Sequence, residues 1–168
     1  MKSIKQLCQN CGNNGQVAYN VFFQKDLCFT CHKKLDKKLR QDHPEYFLKF
    51  CGVPKKLLNC SLDNFENNPQ LVNRLRNYVK TWPLESIIFI GTCGNGKSHL
   101  AVAILRELVK MNVNINDFEF ISVVELLQEI KSSYDKNSKE SEWSIIQRFT
   151  CNKLIVLDDF GYDEEPTN

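Results

Sequence analysis

Hydrophobic residues along the chain fall into short patterns, and each pattern predicts an element. Leu71, Val72, Leu75, Tyr78, Val79 and Trp82 recur at helical spacing and form one apolar face. Asn68 can cap that helix, Pro69 suits its first position and Pro83 ends it. The run "SIIFI" (86–90) is wholly apolar and bounded by turn residues, which predicts a strand buried on both faces. "HLAVAILRELVKM" is apolar nearly all round and predicts a buried helix, and "DFEFI" (117–121) predicts the next strand. Ser122 and Glu125 have capping-box spacing ahead of a helix whose Val123, Leu126, Leu127, Ile130 and Tyr134 share a face. Beyond a polar loop at 135–141, "EWSIIQRF" predicts a short helix and "KLIVL" a third buried strand. From residue 86 onward strands alternate with helices, so the fold class is α/β with a parallel sheet.

The first third of the chain reads differently. Residues 1–31 hold two Cys-x-x-Cys pairs and too few aliphatic residues for an independent core. Residues 33–50 form a charged helical stretch with Pro44 as a break or a new start, and a connecting loop follows.

The segment "GTCGNGKS" (91–98) fits the phosphate-loop pattern and lies between a predicted strand and a predicted helix, the context that pattern requires. Gly91, Gly94 and Gly96 let the backbone bring its N–H groups onto phosphate oxygens, with Thr92, Cys93, Asn95 and His99 in or beside the loop. The helix starting near Lys97 adds its N-terminal partial charge. Lys97 is placed to reach the β- and γ-phosphates, and the Ser98 hydroxyl to take a Mg²⁺ position. Such a site also needs a carboxylate on a neighbouring strand and a group that orients water. "LIVLDD" supplies both, which assigns Asp158 to Mg²⁺ and Asp159 to the attacking water. Cys93 reads as a small filler of the loop, and His43 and His99 as structural.

Cys8, Cys11, Cys28 and Cys31 have the spacing of a four-thiolate zinc site, and Zn²⁺ can replace the core this segment lacks. Cys51, Cys60 and Cys151 show no metal spacing and are expected to be buried. The basic run 32–40, with Lys55 and Lys56, reads either as a solvated helix face or as a contact for phosphates or an acidic partner.

Composition narrows this only a little. The 42% hydrophobic content of 168 residues suffices for a core, and a net charge of +2 excludes a strongly basic protein but not a local basic patch. The first residues have no apolar signal region and no run is long enough to span a bilayer, so a cytoplasmic protein is expected. In that compartment the eight cysteines are poor disulfide candidates.

From about residue 51 to 168 the chain resembles the DnaC-type helicase loaders and the related IstB-type transposition ATPases of the AAA+ class. The resemblance rests on "GVPKKLLNCSLDNF", "GTCGNGKSHLA", "FEFISVVELLQEI" and "LIVLDDFGYDEEPTN". It implies a P-loop NTPase of AAA+ type, with a parallel sheet, flanking helices and a small N-terminal four-cysteine zinc module. The implied organisation is a zinc module over 1–34, a helical linker over 35–58 and the ATPase domain over 59–168. It implies an ATPase that uses ATP, Mg²⁺ and Zn²⁺. ATP binding and hydrolysis would control engagement of a replicative helicase, met through the zinc module, and of single-stranded DNA, in a homo-oligomer of the full-length protein. Residues 53–65 would lie near the adenine.

The resemblance also carries a departure. Relatives of this kind continue with further strands, a sensor, an arginine finger and a helical lid, so the chain is expected to be the first part of such a protein. The strand that follows the second acidic motif would insert between "SIIFI" and "LIVLDD", and without it both would face a gap with unpaired edges. The alternative functions are a transposition helper ATPase and a non-enzymatic adaptor that carries an inert nucleotide domain.

Overall fold

A computed structural model describes residues 5–20, 23–83, 85–135, 138 and 140–160. Residues 161–168, the end of the segment "LIVLDDFGYDEEPTN", lie outside the described residues. The chain divides into two compact units, Met1–Pro44 and Glu45–Asn168.

The first unit is a three-stranded antiparallel sheet in the order β1-β2-β3, followed by a helix. Its strands are β1 (Lys5–Leu7), β2 (Asn14–Asn20) and β3 (Lys25–Cys28), and its helix is α1 (Phe29–Asp42). None of the three strands shows a regular apolar alternation, which is why periodicity does not reveal them. Cys8, Leu27 and Cys31 form a buried cluster, with Phe23, Cys28 and Leu35 packed against it.

The second unit begins in α2 (Pro44–Phe50) and passes through a 3-10 turn at Lys55–Leu57. There follow α3 (Pro69–Val79), α4 (Lys97–Lys110), β4 (Phe118–Ser122), α5 (Val123–Ser133), α6 (Glu142–Cys151) and β5 (Leu154–Asp158). Strands β4 and β5 pair in parallel, with Phe118 opposite Leu154 and Ser122 opposite Asp158.

Local chemistry sets the helix starts. The Asn68 side chain accepts from the Leu71 N–H at 3.0 Å, with Pro69 at the first helical position. Ser122 and Glu125 form the reciprocal capping box. Ser141 and Ser144 make a second reciprocal cap at the start of α6. Helix α4 is the centre of the core. Leu100, Val102, Ala103, Ile104, Leu105, Leu108 and Val109 are all buried, and each of the larger aliphatics contributes about 1.5–3 kcal/mol.

Residues 50–52 close the outer edge of β4. The Phe120 N–H donates to the Cys51 carbonyl at 2.6 Å. Gly52 has φ +85°, and a Cβ there would lie 2.6 Å from the Phe120 carbonyl oxygen. Only glycine satisfies both conditions.

Three expectations are corrected. Strand β5 forms as expected but is not buried: none of its residues is buried and Leu157 is 47% exposed, because among the described residues it pairs only with β4. Residues 86–90 are not in a strand, and Ile88 and Ile90 are 81% and 92% exposed rather than buried. A strand buried on both faces must be paired at its edges, and among the described residues nothing pairs with this run. Cys151 is exposed rather than buried, because it is the last residue of α6, where the helix ends and little packs over it; Cys51 and Cys60 are buried as expected.

Candidate functional site

The glycine loop leads directly into α4. Gly96 occupies the N-cap position in the left-handed region, with φ 82° and ψ 20°, and no side chain caps the helix. The first N–H groups of α4 therefore keep their donors available beside the loop. Gly96 also admits an aromatic neighbour: a Cβ at this position would lie 2.6 Å from Phe65 Cε2. Within the loop, Asn95 Nδ2 donates to Thr92 Oγ1 at 2.8 Å. The Lys97 ammonium folds over the loop and donates to the carbonyls of Gly91 and Thr92, each at 2.9 Å. A positive charge, a helix N-terminus and flexible backbone donors thus converge on one small region, which is the chemistry of an anion site.

The second half of the site arrives from 60 residues away. Ser98 Oγ donates to Asp158 Oδ1 at 2.8 Å, joining the first turn of α4 to the end of β5. A hydroxyl and a carboxylate in contact beside an anion site form a donor set suited to a hard divalent cation. Asp159 lies next in sequence, exposed and with φ +55°, and makes no hydrogen bond among the described residues. Gly91, Gly94 and Cys93 are exposed at the loop surface.

Three neighbours of the loop make contacts that motif reading does not reveal. His99 Nε2 lies 2.9 Å from the Ser61 carbonyl, and its ring is 5.3 Å from that of Phe65. Arg106 is buried on α4 and donates from Nε to the Cys60 carbonyl at 2.7 Å and from its terminal nitrogen to the Leu58 carbonyl. Together they fix residues 58–65 against the loop and α4. These contacts span 34 to 48 residues, so no local spacing signals them. A groove of about 760 Å³ runs along β4, bordered by Phe50, Gly52, Glu119, Glu129 and Arg148; no residue of the glycine loop lines it.

In the first unit the sulfurs of Cys8, Cys11, Cys28 and Cys31 all lie within 4.8 Å of one another. Cys11 Sγ and Cys28 Sγ are 3.8 Å apart. Tetrahedral thiolates about 2.3 Å from one metal ion would be separated by about 3.8 Å, so these residues fit such an ion. Gly12, with φ +72°, turns the first knuckle, and its N–H donates to the Cys8 carbonyl at 2.8 Å. Asn10 Nδ2 donates to Cys31 Sγ at 3.3 Å. The Cys8 thiol is lowered to about 6, chiefly by a backbone hydrogen bond at Cys28 and further by those at Asn10 and Cys11, against the opposing effect of burial. For Cys11, a backbone hydrogen bond at Asn13 favours the thiolate, but the neighbouring thiols and desolvation outweigh it and raise the group to about 11. The first proton to leave the cluster is therefore held by a thiol that backbone donors already favour as a thiolate.

Residues 54–166 match the family described as IstB-like ATP binding protein. The replicative helicase loader DnaC of Escherichia coli K12 is 30% identical over 120 residues, 68% of this chain and 47% of that protein. DnaC of Buchnera aphidicola subsp. Baizongia pistaciae is 28% identical over 120 residues, 68% of this chain and 48% of its own. The putative ATP-binding protein of insertion sequence IS232 from Bacillus thuringiensis is 35% identical over 78 residues, 46% of this chain and 29% of that protein. The chain thus spans about half the length of the helicase loaders it matches.

Proposed function

The chain belongs to the IstB-like ATP-binding proteins, and on that premise we propose that it serves as an ATP-driven loader of a replicative DNA helicase. The observation that carries this reading is the likeness to DnaC loaders over 68% of the chain. The first unit, as a zinc module held by Cys8, Cys11, Cys28 and Cys31, would engage the helicase.

The residue roles follow from chemistry. Backbone donors of residues 91–96 and the start of α4 would hold phosphate oxygens, and Lys97 would neutralise the β- and γ-phosphates. Ser98 and Asp158, already in contact at 2.8 Å, would hold Mg²⁺. When bound, that ion neutralises charge on the phosphates. Asp159 would orient the attacking water, and its exposure leaves it free to do so.

A second reading has its own support. The likeness to the IS232 ATP-binding protein, at 35% identity, favours a helper ATPase of transposition on the same nucleotide chemistry.

ATP titration of the whole chain and of Lys97→Ala tests the nucleotide reading, with roughly tenfold or greater weakening expected for the variant. Equal, weak binding by both proteins would instead favour an adaptor with an inert nucleotide domain. Asp159→Asn should keep ATP binding and lose hydrolysis; loss of binding would assign it another role. Capture of a purified replicative helicase by the whole chain is the expected partner result, and capture of a transposase in its place would favour the second reading.

A further inference from the structure

Charge is distributed unevenly between the two units. Residues 1–44 carry eight lysine and arginine residues against three acids, a formal +5, while the remaining 124 residues carry a formal −3. The excess is concentrated on α1. Lys33, Lys34, Lys37 and Lys38 are all exposed and occupy one continuous arc of that helix, with residues four apart separated by one turn, about 6 Å. Among the described residues, no carboxylate pairs with any of the four. Asp36, which borders the arc, is taken by Arg40 at 2.8 Å.

Phe29 opens the same arc. Its ring is 79% exposed, and the Lys33 ammonium lies 5.8 Å from its centroid. An aromatic face in solvent has no use in the unit's core, whose cluster is Cys8, Leu27 and Cys31. Regularly spaced cations beside an exposed ring are what a single-stranded nucleic acid requires: ammonium groups for successive phosphates and a flat apolar face for one unstacked base. A duplex keeps its bases stacked and would leave the ring unused, and an acidic protein would need the cations alone.

We propose that the Phe29–Lys33–Lys37 and Lys34–Lys38 face of α1 binds single-stranded nucleic acid, with Phe29 stacking on a base. The face lies outside the family match at 54–166, and the inference stands whether or not the helicase reading does.

Fluorescence anisotropy of a labelled single-stranded oligothymidine with the whole chain, over a range of salt, tests it. Replacing all four lysines by glutamine should weaken binding roughly tenfold or more and flatten the plot of log affinity against log salt by about three. Phe29→Ala should weaken binding roughly tenfold while leaving that slope unchanged. Helical content, metal content and ATP binding of the variants should match the parent. An unchanged affinity in the quadruple variant would overturn the proposal. So would tighter binding of a duplex of equal length, or equal competition by polyglutamate with no effect of Phe29→Ala, which would mark an acidic protein as the partner.

Discussion

The core cluster of the first unit consists of Cys8, Leu27 and Cys31, whereas α4 alone buries seven aliphatic residues in the second. Two of the three core residues in the first unit belong to the four-sulfur cluster, so its packing and its ligand set are largely the same atoms. The second unit relies on buried area and on polar groups that tie distant segments to α4, such as Arg106 and the Ser98–Asp158 contact. With a metal ion on the four sulfurs, stability in the first unit would be chemical and conditional on that ion, whereas in the second it is spread over many contacts.

The largest effect should come from metal removal. Structural zinc in small modules supplies roughly 10–16 kcal/mol of apparent binding energy, so chelation is expected to abolish amide protection across residues 5–44 and spare α4. Hydrogen exchange on the whole chain reads both units at once. Unchanged protection in residues 5–44 would remove the metal from this account, and joint loss in both units would end the distinction.

Leu105→Ala should do the reverse. Leu105 is fully buried, and its truncation is expected to cost about 2–5 kcal/mol by urea unfolding of the second unit, with metal content unchanged. A cost below about 1 kcal/mol would mean that α4 is not the centre of that core. Arg106→Met keeps the apolar stem and removes the donors to Leu58 and Cys60, with an expected loss of about 2–3 kcal/mol. Looser exchange protection at residues 58–65 should accompany it, and a purely global effect would deny Arg106 its role in holding that segment.

The smallest effect concerns pH. The hydrogen bond from Arg76 holds the Asp63 carboxyl below its usual range. A depressed carboxylate stabilises the fold above its unfolded value of about 3.9, and that contribution is lost as pH falls through the lower folded value. The Asp63 side chain is 63% exposed, so only about a few tenths of a kcal/mol are expected. Arg76→Gln should flatten the acid limb of stability by that amount, and an unchanged limb would show that the pair contributes nothing.

The same contrast explains what the amino-acid sequence reveals. The starts of α3 and α5 are legible because Asn68 and Pro69, and likewise Ser122 and Glu125, act within a single helical turn. Helix α4 is legible because its burial is written in nearly every position. The strand expected at 86–90 is not formed, since pairing depends on neighbours that those residues do not specify, and β1–β3 show no regular alternation that would announce them. The roles of Phe65, His99 and Arg106 in holding residues 58–65 escape notice because they act through long-range contacts to backbone or ring. Motif spacing picks out both Ser98 and Asp158, yet the hydrogen bond that joins them is a product of the fold.

Gly52 gives the sheet a direction of growth. With no side chain at that position, the chain lies against β4 closely enough for Cys51 to occupy the Phe120 N–H. Phe118 and Ser122, the next donors on that side, are satisfied by Ile115 and Glu125. That border is blunt, and a further strand can extend this sheet only beyond β5. Any bulkier residue at 52 would collide with the Phe120 carbonyl and pull Cys51 away from the Phe120 N–H, while the donors on either side of it stay satisfied.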